Sequence, residues 1–138
     1  MADTLLQEPH TRPPEAPAGA PEERGAMKLL SCFIRPEQLD AVTAALDALG
    51  VGGITVTDVR GFGRQKGQVE HYRGGEYTIR FIPKVRLEVA VRAQEVDRVM
   101  AAIHSAGRTG QVGDGKLFVT ELRNVVRIRT GERGTGAL

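Results

Sequence analysis

Ile54-Thr55-Val56-Thr57-Asp58-Val59 and Val85-Arg86-Leu87-Glu88-Val89-Ala90-Val91 are two runs of alternating side chains. Between them lie Gly61-Phe62-Gly63-Arg64-Gln65-Lys66-Gly67 and Tyr72-Arg73-Gly74-Gly75-Glu76-Tyr77. Alternation with period two marks half-buried strands, so the stretch predicts a strand, a long polar loop and a second strand. A structureless connection longer than ~12–15 residues inside a compact domain is usually functional or disordered. This one carries guanidinium, ammonium, carboxamide and phenol groups, a set suited to changing shape around an anionic ligand and to presenting a tyrosine.

On the N-terminal side, Lys28 to Arg35 reads as a strand, and Pro36 falls where proline is best tolerated, in the first turn of a helix. Leu39, Val42, Leu46 and Leu49 recur at helical spacing and Gly50 supplies the stop. On the C-terminal side, Val96, Val99, Met100 and Ile103 form a second helical stripe closed by Gly107. Lys116 to Arg129 then holds the last strand material, with Leu117, Phe118, Val119, Val125, Val126 and Ile128. The order β-α-β-loop-β-α-β predicts an α+β, ferredoxin-like βαββαβ fold with both helices on one face of an antiparallel sheet. The other face needs a cover, and oligomerisation is the simplest one. The architecture hosts many unrelated functions and decides none.

The chain has 138 residues, enough for one domain with a core that needs no disulfide or metal staple. Cys32 has no partner for a disulfide, and His10, His71 and His104 have no neighbour at metal-ligand spacing, which points to a reducing compartment and away from structural zinc. No apolar run approaches membrane-spanning length and no secretory signal opens the chain; the expected location is cytoplasmic. Residues 1–26, with five of the seven prolines and five acidic residues, read as a disordered Pro/Ala-rich extension or a mis-called start, since Met27 opens the ordered pattern. The domain is then 27–138. Net charge is +2, too mild to argue for nucleic acid, and the scarcity of aromatic residues argues the same way.

Thr109-Gly110-Gln111-Val112-Gly113-Asp114-Gly115-Lys116 matches the spacing of a phosphate-binding P-loop from Gly110 to Lys116. Two features depart from it: Leu117 stands where the magnesium-binding hydroxyl belongs, and the motif follows a helix and enters a strand. What remains is local physics, in which glycines let backbone N–H groups converge on an anion and Lys116 adds charge. A plain helix-to-strand turn accounts for Gly107 and one further glycine, but not for three glycines with a lysine. Arg127 and Arg129, two apart on an expected strand, would share a face and clamp a polyphosphate, or they are the solvated cations of an edge strand. Lys84, Arg64, Gln65 and Lys66 complete a set of anion-directed groups that suggests one composite site, shared across a subunit boundary. Cys32 reads as a buried structural thiol, and Tyr72 and Tyr77 as loop contact residues.

Taken together, Thr55 to Gly67, Tyr72-Arg73-Gly74, Glu76-Tyr77, Phe81-Ile82-Pro83-Lys84, Thr109-Gly110, Gly113 to Lys116 and Val126 to Glu132 resemble the PII nitrogen-regulatory signal-transduction family, in order across residues 27–138. The resemblance implies a regulatory protein rather than an enzyme: a homotrimer with ATP or ADP in the clefts between subunits. Around the nucleotide it implies Thr55, Gly61, Gly63, Arg64, Ala90, Gly113, Asp114, Gly115, Lys116, Arg127 and Arg129. It implies Mg²⁺, carried by ATP, on Gln65, and 2-oxoglutarate on Gln65, Lys66, Gly67, Lys84 and Gly113. Hard oxygen ligands suit that ion. Tyr77 matches the loop tyrosine that a nucleotidylyltransferase modifies in parts of the family, and Gly75 replaces the serine phosphorylated in others. Loop 63–81 would then dock on targets such as an ammonium channel, which could recruit the protein to the membrane, or on nitrogen-metabolism enzymes. Two rivals are weaker. An acylphosphatase-like enzyme needs a water-positioning asparagine, and Asn124, the single asparagine, stands far from Gly110 to Lys116. An RNA-recognition module needs sheet aromatics, and the strands offer Phe33 and Phe118.

Overall fold

The computed structural model describes residues 25–63 and 80–138. Most of the Pro/Ala-rich segment, and Arg64, Gln65, Lys66, Gly67, Tyr72 and Tyr77 of the long loop, lie outside the described residues. Strand β1 (Met27–Ile34) leads through a 3-10 turn at Pro36–Gln38 into helix α1 (Leu39–Ala48). Strands β2 (Thr55–Gly61) and β3 (Ile82–Arg92) flank the loop, and helix α2 (Val96–Gly107) and strand β4 (Lys116–Glu121) follow. The strands form one antiparallel sheet in the order β2-β3-β1-β4. This is the α+β ferredoxin-like arrangement expected from the sequence.

Period-two patterning divides the sheet into two faces. Leu30, Cys32 and Ile34 of β1 pack with Val85, Leu87, Val89 and Val91 of β3 against Val42 and Leu46 of α1 and Val99 and Ile103 of α2. The helical partners are four residues apart, one turn along a single face. Met100, counted in the same stripe, instead lies on the exposed flank of α2, because its position falls past the edge of the face that Val99 and Ile103 bury. Pro36 sets the turn after β1, and Gly50, at φ +76°, lets the chain reverse after α1 with Val51 N–H donating to the Leu46 carbonyl at 3.1 Å.

The pairing Phe33↔Arg86, Phe33↔Lys116, Thr55↔Glu88 and Leu29↔Ala90 assigns the other set of residues to the face that no helix covers. Thr55, Lys84, Ala90 and Lys116 share that face. Phe33 and Phe118 meet there edge to face, ring centroids 6.0 Å apart, and Phe118 is 49% exposed.

The strand expected to run to Arg129 ends at Glu121. Val126 makes an isolated antiparallel bridge with Arg133, closed by Arg127 N–H to the Glu132 carbonyl at 2.9 Å and Gly134 N–H to the Val125 carbonyl at 3.0 Å. Arg127 therefore sits at the base of a tight turn and Arg129 at its tip, which corrects the expectation that strand alternation puts them on one face. The apolar run is interrupted by Arg123 and Asn124, and Gly131 at φ +76° folds it back on itself.

Candidate functional site

The helix-to-strand connection between α2 and β4 is a built loop. Gly110, Gly113 and Gly115 have φ of +88°, +101° and +99°, values that favour glycine, so the sequence motif corresponds to three left-handed turns of backbone. At Gly115 the constraint is also steric, since an added Cβ would lie 1.6 Å from the Phe33 carbonyl oxygen.

Asp114 organises this loop from within. Its Oδ2 accepts the backbone N–H groups of Thr109 and Gly110, both at 2.9 Å, and its Oδ1 accepts the Thr109 hydroxyl and the Arg35 Nε at 3.0 Å. The Thr109 hydroxyl, the Arg35 guanidinium and the two amides hold the Asp114 carboxyl far below the usual carboxylate range, against a smaller opposing effect of burial. Its oxygens are engaged by the loop itself, so Asp114 acts here as a positioning group. Arg35 also donates to the Val112 carbonyl at 2.8 Å. Sequence reading did not single out Arg35; its one linear signal is its place at the end of β1, before the helix-opening Pro36.

Lys84 reaches the same loop from β3 and donates to the Gly113 carbonyl. Gly61, across β2, leaves room for its stem, because a Cβ there would lie 3.3 Å from Lys84 Cγ. Burial, and secondarily the Arg35 charge, lower the Lys84 pKa, while Asp114 and Glu37 pull it upward. Lys84, Arg35 and the glycine turn, Gly113 included, are thus brought together around one point, and Lys116 opens β4 on the open face of the sheet beside Phe33. Such a cluster of a part-buried ammonium and a guanidinium beside a glycine turn is suited to an anion.

Thr55 starts β2 on the same open face, Gly61 ends it, and Gly63 stands at the edge of the described residues. Arg127 is placed elsewhere: its Nη2 donates to the Leu138 backbone oxygen at 3.3 Å and its Nη1 lies 3.7 Å from Glu132 Oε1. Among the described residues no hydrogen bond or ion pair joins this C-terminal turn to the glycine turn. Nor do the described residues contain a His/Cys/Asp/Glu cluster able to hold a metal.

A family model described as Nitrogen regulatory protein P-II matches residues 27–132. The chain belongs to the P-II family. This P-II chain is 50% identical over 112 residues to Nitrogen regulatory protein GlnK of Escherichia coli, covering 81% of this chain and all of that one. It is 52% identical over 112 residues to Nitrogen regulatory protein P-II of Azospirillum brasilense, with the same coverage. Among solved structures it is similar to Arabidopsis thaliana PII bound to citrate, with a TM-score of 0.69, 36% identity, and coverage of 82% of this chain and 92% of that one. Its role is accordingly that of a signal transducer in nitrogen regulation and not of an enzyme, which removes the acylphosphatase-like alternative. No helix among the described residues is long and apolar enough to cross a membrane.

Proposed function

We propose that this P-II protein reports energy and nitrogen status by binding ATP or ADP and, with Mg²⁺–ATP, 2-oxoglutarate. The observation that carries the reading is the convergence of Lys84, Arg35 and the Gly113 backbone on one point at the base of loop 63–81. A dicarboxylate fits the chemistry of that point, with Lys84 pairing with one carboxylate and the Gly113 region turned toward it. Gln65, Lys66 and Gly67 would complete the ligand shell from the loop side, Gln65 on the magnesium that the nucleotide brings. The nucleotide would lie against Thr55, Gly61, Gly63, Arg64, Ala90, the Gly113-to-Lys116 turn with Asp114 and Gly115, and Arg127 and Arg129.

A homotrimer is part of the reading. The Phe33–Phe118 pair is open, Arg86 Nε is buried with no hydrogen-bond partner among the described residues, and no hydrogen bond or ion pair among the described residues joins the C-terminal arginines to the glycine turn of their own chain. All three are resolved if a second copy covers the open face and brings its own groups to the cleft. The protein would act in the cytoplasm, with loop 63–81 docking on or leaving a membrane ammonium channel or a nitrogen-metabolism enzyme, and with Tyr77 open to a nucleotidylyltransferase. A ligand shifts such a loop only by its differential affinity for the two conformers. Calorimetry tests the scheme: 2-oxoglutarate should bind with Mg²⁺–ATP present and fail to bind without it. Equal affinity in both conditions would overturn the ordered site.

A further inference from the structure

The C-terminal turn places two oxygens of the protein itself on Arg127. Glu132 Oε1 lies 3.7 Å from Nη1, and the Leu138 backbone oxygen accepts from Nη2 at 3.3 Å. The arrangement is specified by the backbone. Arg127 N–H bonds the Glu132 carbonyl at 2.9 Å, Gly131 N–H bonds the Arg127 carbonyl at 2.8 Å, and the Thr130 hydroxyl accepts Glu132 N–H at 3.2 Å. Gly134, buried and at φ +69°, then starts the 3-10 turn that carries Leu138 back across the guanidinium. A side-chain carboxylate and a backbone oxygen on one guanidinium present the acceptor chemistry that a phosphate would present there.

We propose that Glu132 and the Leu138 backbone oxygen form an internal competitor for Arg127, which an incoming nucleotide phosphate must displace. The proposal rests on the assignment of Arg127 to the nucleotide made above. Glu132 thereby lowers nucleotide affinity and keeps the cation engaged when the site is empty. The pair is half-exposed, with side chains 38% and 51% accessible, so the effect is modest, because exposed ion pairs are weak.

Calorimetric titration of the full chain with ATP and with ADP tests this. Glu132→Gln retains the backbone N–H and carbonyl that hold the turn, and it should bind both nucleotides about two- to fivefold more tightly than the wild type. Arg127→Gln should weaken binding, and adding Glu132→Gln to it should change nothing further, since the competitor then has no target. Arg127 side-chain NMR resonances should shift in Glu132→Gln without ligand, a readout independent of nucleotide. Unchanged resonances, or nucleotide affinity in Glu132→Gln equal to or weaker than wild type, overturn the competitor. A wild-type chain that binds no nucleotide, or an Arg127→Gln chain that binds it normally, overturns instead the assignment on which the competitor rests.

Discussion

Gly115 passes so close to Phe33 that a Cβ on it would lie 1.6 Å from the Phe33 carbonyl oxygen, a group fixed inside the β1–β4 pairing. The obstacle is backbone, so a side-chain rotation cannot relieve it, and φ of +99° adds a second penalty. Gly115→Ala should lose on the order of 2–4 kcal/mol of stability. Urea denaturation checks this, and a midpoint within error of the wild type would show that β4 can shift aside.

Arg35 and Thr109 hold the loop through Asp114. Arg35→Gln should leave the sheet and core intact, lower the melting midpoint slightly, and weaken 2-oxoglutarate binding in Mg²⁺–ATP by about tenfold. The expected split is a large change in affinity with a small one in melting temperature, read by calorimetry and differential scanning fluorimetry on the same sample.

Acid should act through Asp114. Its folded pKa is depressed below the unfolded value, so its contribution to stability is complete above the unfolded pKa, about 4, and is lost as pH falls from there toward the folded pKa. Urea midpoints measured from pH 7 downward should therefore decline below pH ~4. Asp114→Asn should start lower at neutral pH and show a flatter decline; parallel curves would assign the acid loss to other carboxylates.

Lys84 lies between the loop and the helix-opening turn, with burial lowering its pKa. Its charge is lost at a lower alkaline pH than that of an ordinary lysine, and 2-oxoglutarate affinity should fall with it. Lys84→Gln should reduce that affinity by about 10- to 100-fold at neutral pH while ATP binding changes little. Titrations across pH 7 to 10.5 test both statements, and a flat profile would remove Lys84 from the dicarboxylate site.

Phe118 is half-exposed against Phe33 on the uncovered sheet face. Phe118→Glu should convert the proposed trimer to monomers in light scattering after size-exclusion chromatography, with secondary structure retained by circular dichroism. A variant of unchanged mass would place the subunit contact elsewhere.

Much of the fold was legible because the period of the apolar residues is a local property. Leu30, Cys32 and Ile34, then Val42 and Leu46, announce a strand and a helix before any partner is known, and the ferredoxin-like class follows from the order of such elements. The failures are equally local. Val125, Val126 and Ile128 look like strand residues, but Arg123, Asn124 and Gly131 turn the segment back on itself. Arg127 and Arg129 therefore do not stand on a strand whose alternation would put them on one face.

The candidate site was half legible. Gly113, Gly115, Lys84 and Lys116 stand out by residue type and spacing, since glycines with cations have a limited range of uses. Arg35 does not, because an arginine before a proline is unremarkable until folding brings residue 35 beside residue 114. Asp114 read as a ligand-facing group, and only its four hydrogen bonds to Thr109, Gly110 and Arg35 show that it holds the loop.

Element order, the two-faced sheet and the family can be read from residue order alone, because strand alternation, helical spacing and glycine-cation motifs run along the chain. Which charges meet depends on folding. Lys84 and Gly113 are 29 residues apart and Arg35 and Asp114 are 79 apart, and contacts of that separation depend on sheet register and on the path of the loops, which no local window contains.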